Sequence, residues 1–195
     1  MAGVEPLRPE EMENYEEFAA GSIARMGFVL NSTKTMARRP EIRAALSNLF
    51  VTVMTKGTVD SGLKQMVAQV ASVAAGCRYC QAHTAGSAHR AGVPAEKIEA
   101  LYEFESSPLF NEAERAALRF GRDAAIQPNA VTPRHFEALR EHFDDGEIVE
   151  ITAAAATFGF LNRWNDTMGT ELEDEPLEFA SEHLAHGGWV AGKHG

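Results

Sequence analysis

Along most of this chain the apolar residues recur at intervals of three and four, and no segment sustains the two-residue alternation of a half-buried strand. A sheet has no pattern to form on, so the expected fold class is all-α, a bundle of about seven or eight helices. Glu10 to about Met26 carries Met12, Tyr15, Phe18, Ala19 and Ile23 on one face, and Phe28 to Arg39 continues it beyond Gly27. Pro40 suits the first turn of a helix from Glu41 to about Lys56, which Gly57 ends. Asp60 or Ser61 caps the next, whose stripe of Leu63, Met66, Val67, Val70, Val73 and Ala74 faces a core. Pro94 opens Ala95 to Phe104, Asn111 and Glu114 cap a helix to Ile126, and Thr132 caps one to Phe143. The most apolar helix, Glu147 to about Met168, is expected to cross the core.

The chain's 195 residues suit one domain, read as 1–170 with an N-terminal helical arm, followed by a tail at 171–195. Met1 to Pro9 has no period and is expected to be loose. The tail is acidic and then Gly-rich, and is expected to fray or to dock on a neighbouring subunit through Leu184, Trp189 and Val190. Phe18, Leu184 and Trp189 have no evident place in a core, which predicts a homo-oligomer.

Eighteen basic residues against 28 acidic ones give a formal charge of −10. Such a surface repels phosphate backbones and anionic lipid, so neither nucleic acid nor a membrane is an expected partner. No apolar run approaches the roughly 20 residues of a membrane span, and the acidic N-terminus lacks a signal pattern. A cytoplasmic location is therefore expected.

The chemistry concentrates in Ala75-Gly76-Cys77-Arg78-Tyr79-Cys80-Gln81-Ala82-His83-Thr84, which holds both cysteines of the chain. Two thiols separated by two residues serve redox chemistry or half of a metal site. On a helix, Cys77, Cys80 and His83 step by about 60° each, so all three face one pocket. There the imidazole can take a proton from a thiol. Gly76 is placed to break the preceding helix, which sets the cysteines at a new helix N-terminus, where the dipole favours thiolate.

The run Val73-Ala74-Ala75-Gly76-Cys77-Arg78-Tyr79-Cys80-Gln81-Ala82-His83-Thr84-Ala85, followed by Gly92-Val93-Pro94-Ala95-Glu96-Lys97-Ile98, resembles the core of the alkylhydroperoxidase D / carboxymuconolactone decarboxylase family in its peroxidase-related branch. Phe158-Gly159-Phe160-Leu161-Asn162-Arg163-Trp164-Asn165-Asp166-Thr167 also resembles that branch. The resemblance implies an all-helical fold, a dimer or higher oligomer, and reduction of hydroperoxides in which Cys80 attacks and Cys77 resolves. Two departures stand out. The family's relay glutamate, twelve residues before the first cysteine, falls on Gln65, and its histidine, four after the second, falls on Thr84, with His83 one place early. A family histidine between the cysteines falls on Tyr79, too weak a base near neutral pH without a large shift. Asn165 or Asp166 is then a candidate to hydrogen-bond His83 or to line the pocket in place of the missing carboxylate.

The leading expectation is a thiol-dependent peroxidase with Cys80, Cys77 and His83 as its catalytic residues and Tyr79, Asn165 and Asp166 as relay or pocket residues. Its substrate is a small hydroperoxide and its reductant a dithiol. No haem, flavin or nicotinamide signature is visible, so no cofactor is expected. Geometry alone leaves the attacking thiol open: Cys80 is nearer to His83, whereas Cys77 gains more from the helix terminus. Two other readings remain. A lyase related to carboxymuconolactone decarboxylase would leave the thiols idle, and a non-catalytic module would sense redox state or bind zinc through Cys77, Cys80, His183 and His186.

Overall fold

The computed structural model describes residues 2–195, apart from the Arg25 side chain. Among them are ten α-helices and no strand. They are α1 (Tyr15–Met26), α2 (Asn31–Met36), α3 (Pro40–Thr55), α4 (Ser61–Ala75), α5 (Arg78–Arg90), α6 (Ala95–Glu99), α7 (Glu112–Ala125), α8 (Pro133–Arg140), α9 (Asp145–Met168) and α10 (Asp174–His183). The all-α expectation holds, with more helices than the pattern suggested. The surplus comes from α2, which stands apart where the pattern continued the first helix beyond Gly27, and from α10 in the tail; the helix expected from Ala95 to Phe104 forms as α6 followed by a tighter helical turn at Ala100–Glu103.

Helix α4 lies at the centre, flanked by α5, α7 and α9. Its starting cap is the expected one, with the Asp60 carboxylate accepting the Leu63 N–H at 3.0 Å, an interaction worth about 1 kcal/mol. Val67, Ala68 and Ala71 are fully buried. Helix α7 approaches α4 at Gly121, where a Cβ would come within 2.8 Å of Val67 Cγ1 and 3.2 Å of its carbonyl oxygen. Helices this close need the missing side chain. At the other end of α4, Lys64 is 1 % exposed and pairs with Glu150 of α9 at 2.7 Å. The N–H groups of Thr58 and Val59 complete that carboxylate's bonding, which is what a buried charge requires.

Two expectations about the chain ends are corrected. Gly3 N–H donates to the Met168 carbonyl at 2.6 Å, and the Glu5 carbonyl accepts from Arg38 at 3.1 Å, so the N-terminal stretch is tied to α9 and to the end of α2. Met1 lies outside the described residues. The tail folds onto its own chain: α10 packs on α5, Leu184 and Trp189 are buried, and Trp189 Nε1 donates to the Arg78 carbonyl at 3.2 Å. Hydrophobic burial within the chain thus accounts for the two side chains that suggested docking on a neighbour. The expected first helix is also interrupted, because Asn14 adopts left-handed backbone (φ 54°) just before α1. No helix among the described residues is long and apolar enough to cross a membrane.

Candidate active site

The site is built on the turn between α4 and α5. Gly76 has φ of +77°, a region that strains any side chain, and ends α4 there. The Cys77 N–H bonds the Ser72 carbonyl at 3.2 Å, and the chain restarts as α5 with Cys77 as N-cap. The Cys77 sulfur fills the position that a serine or aspartate oxygen ordinarily takes at a cap, accepting the Cys80 N–H at 3.4 Å. The interaction with the neighbouring Cys80 thiol, together with the backbone N–H of Cys80, holds the Cys77 thiol below its ordinary value of 9.0 in spite of burial.

Cys80 is perturbed the other way. Burial first, and then the interaction with Cys77, push its thiol well above 9.0. One group works against that: Asn165 of α9 points Nδ2 at the Cys80 sulfur at 3.5 Å. The Thr170 hydroxyl donates to Asn165 Oδ1 at 3.0 Å, which fixes the amide so that its donor end faces the thiol. Both cysteines are free thiols in this structure.

One turn further on, His83 Nε2 lies 2.8 Å from Glu173 Oε2, in the stretch leading into α10. Burial works to raise the Glu173 carboxyl, but bonds from His83 and from the Asn31 N–H outweigh it and hold the group below 4.5. The Tyr79 hydroxyl donates to the other carboxylate oxygen at 3.1 Å. Burial, and the charge of Glu173, raise that phenol well above 10.0 and keep it a donor. A carboxylate can only accept, so His83 Nε2 must carry a hydrogen. Nδ1 is buried and has no partner among the described residues, which leaves its lone pair open to receive a proton. An acid that orients a histidine through one ring nitrogen and frees the other is the logic of a catalytic dyad.

Cys80, Tyr79 and His83 line a cavity of about 160 Å³, whose walls are largely apolar, among them Phe50 of α3 and Phe158 and Leu161 of α9. The cavity is bounded by α1, α2, α3, α5 and α9, and Cys77 does not line it.

The structure therefore brings Cys77, Tyr79, Cys80 and His83 together and adds Asn165 beside Cys80. It places Asp166 elsewhere: successive helical residues point about 100° apart, and Asp166 pairs with Lys193 at 2.9 Å. Gln65 leaves its side-chain oxygen buried without a partner, and the Thr84 hydroxyl bonds Gln69 and the Cys80 carbonyl, so neither meets the His83 and Glu173 pair. His183 and His186 bond Glu99, at 2.8 Å and 3.1 Å. No group of three or more potential ligands able to hold a metal occurs among the described residues. Sequence reasoning missed Glu173, Thr170 and Asn31. The one available signal was Leu172 within the acidic run Glu171 to Glu175, an apolar residue that asks for burial and does bury.

Residues 40–123 match the model of the carboxymuconolactone decarboxylase family. Among solved structures, a variant of the debrominase Bmp8 in complex with 2,3,4-tribromopyrrole is 34% identical, superposes with a TM-score of 0.85, and is matched over 92% of this chain and 96% of its own. An uncharacterized peroxidase-related protein from Ralstonia eutropha JMP134, described as an alkylhydroperoxidase AhpD core, is 25% identical, with a TM-score of 0.81 and coverage of 92% and 95%. The Escherichia coli (strain K12) protein YnjA is 28% identical over 92 residues, 47% of this chain. The match spans about half the length of that curated relative.

Proposed function

The chain belongs to the alkylhydroperoxidase D / carboxymuconolactone decarboxylase family, and on that premise we propose that it is a thiol-dependent oxidoreductase that reduces small hydroperoxides with the Cys77 and Cys80 pair. The observation that carries this reading is the position of Cys80, whose side chain lines an apolar cavity beside a histidine with a bare, buried Nδ1.

The steps follow from the groups present. His83 Nδ1 takes the Cys80 proton as the substrate enters, and the thiolate, solvated by the Asn165 amide, attacks the terminal oxygen of the hydroperoxide. The O–O bond breaks, Cys80 becomes sulfenic acid, and the departing alkoxide takes the proton from His83 to leave as an alcohol. Cys77, the more acidic thiol, then attacks the Cys80 sulfur, forms the disulfide and releases water, its own proton going to the departing hydroxide. An external dithiol restores both thiols by exchange. Glu173 holds the imidazole in its tautomer throughout.

A second reading is favoured by the apolar cavity and by the likeness to Bmp8. The same sulfur can attack a halogen on an electron-rich ring, the carbanion taking the His83 proton, and Cys77 then displaces halide as the disulfide forms. Both readings use the same two electrons. A lyase reaction would leave Cys80 without a task in the cavity.

The test is to treat the reduced protein with one equivalent of cumene hydroperoxide and record free thiols and intact mass. The proposal expects loss of both thiols, a mass lower by two hydrogens, and recovery with dithiothreitol. Unchanged thiols with unconsumed hydroperoxide would contradict it. Disulfide formation with bromide release from tribromopyrrole, in place of hydroperoxide consumption, would establish the second reading.

A further inference from the structure

The cavity beside Cys80 contains one side chain with a permanent charge. Arg43, near the start of α3, lines it together with Cys80, and no aspartate or glutamate does. The guanidinium lies over the Phe18 ring at 4.8 Å from its centroid. Among the described residues it pairs with no carboxylate, whereas Arg90, Arg115, Arg119 and Arg122 hold Glu175, Glu112, Glu105 and Asp123. Other described arginines also stand outside ion pairs, and Arg43 is the one of them that lines the cavity of Cys80.

The aromatic stacking contributes about 0.5–1 kcal/mol and leaves the guanidinium's N–H donors unspent. Those donors match a planar carboxylate in a two-pronged arrangement, and a guanidinium is weakly hydrated enough to work at an apolar wall. The walls hold an apolar body of about one aromatic ring, since a cavity near 150 Å³ admits benzene. A neutral hydrocarbon peroxide would use those walls and leave the cation without a partner.

We infer that Arg43 is a specificity residue, and that the preferred substrate is a small apolar molecule bearing a carboxylate, which sits on Arg43 while the reactive atom meets Cys80. This deepens the reading of the cavity as the place where Cys80 meets its substrate. Arg43 holds one end of the molecule and takes no part in proton or electron transfer.

The experiment uses the full-length protein with dithiothreitol as reductant, and cumene hydroperoxide beside its para-carboxylate. The wild type is expected to show a kcat/KM about ten- to a hundredfold higher for the carboxylate, carried by KM, as one charge-assisted pair supplies. Arg43→Leu should erase that preference, and Arg43→Lys should restore part of it. Binding of the two unreactive alcohols, measured by calorimetry on the same three proteins, gives the comparison without chemistry. If neither hydroperoxide is consumed but the carboxylated alcohol binds through Arg43, the peroxidase reading fails and the anion site stands. Equal binding of the two alcohols to the wild type, or a preference that survives Arg43→Leu, would overturn the inference.

Discussion

Cys77 and Cys80 sit one helical turn apart, yet the two ends of the site treat a thiol in opposite ways. At the turn, Cys77 caps α5, accepts hydrogen bonds and is pulled below its ordinary acidity constant, but it does not line the cavity. In the cavity wall, Cys80 is pushed well above that constant by burial. Thiolate therefore forms most easily where a substrate in the cavity cannot reach it. The difference bears on the proposed function: a thiol that lines the cavity but is reluctant to ionise would need a base, and in that reading His83, paired with Glu173 and one turn away, is the base.

Removing that base should break the contrast most severely. His83→Ala is expected to slow oxidation of Cys80 in a single turnover by about 10²–10⁴, read by rapid-mixing fluorescence of Trp164 and Trp189. A perturbation of the docked tail that carries Glu173 comes next. Trp189 is 3 % exposed and anchors the tail on the carbonyl of Arg78. Trp189→Ala should cost about 3–5 kcal/mol in urea unfolding and loosen Glu173, while the Cys77 cap, internal to α5, persists.

Glu173→Gln puts an amide N–H donor within reach of His83 Nε2 and disturbs the tautomer without removing the base. Single-turnover rates should fall, though by less than for His83→Ala, as the orienting carboxylate of a hydrolytic triad costs less to remove than its base. The smallest effect is on stability against pH. The folded-state carboxyl of Glu173 lies below 4.5, so its contribution is fully present above that value and is lost as pH falls through the lower folded value. Urea titrations from pH 6 to pH 3 should show a steeper loss for the wild type than for Glu173→Gln. Parallel curves would mean that the buried carboxylate is not held as described.

The longer helices were legible because they announce themselves locally, by a cap or a stripe, which α2 and α10 do not. Asp60 and Asn111 each start a helix through a side chain that accepts a backbone N–H, and such signals span only three or four residues; the cap at Asp144 is of the same kind, in a run the sequence pattern reads only as a break. The clustering of Cys77, Cys80 and His83 was legible for the same reason, being a property of one helix. Glu173 was not. It lies 90 residues after His83 in a stretch between helices, where no periodicity reports which element a side chain will face. Asn165, a candidate from the sequence, does lie beside Cys80, with its amide at the sulfur. Asp166, one residue on, turns away to Lys193. Arg43 was equally silent, because a helical stripe shows which side is apolar and says nothing about a cation at the edge of a cavity.

The central claim, that Cys80 meets the substrate and Cys77 resolves, is tested most directly by trapping. Each single-thiol variant, Cys77→Ser and Cys80→Ser, is reduced, mixed with one equivalent of cumene hydroperoxide in the presence of dimedone, and read by intact mass and peptide mapping. The division of roles described here predicts a dimedone adduct on Cys80 in Cys77→Ser and no reaction at a comparable rate in Cys80→Ser. An adduct on Cys77 in Cys80→Ser, with Cys77→Ser inert, would contradict it and reverse the two thiols.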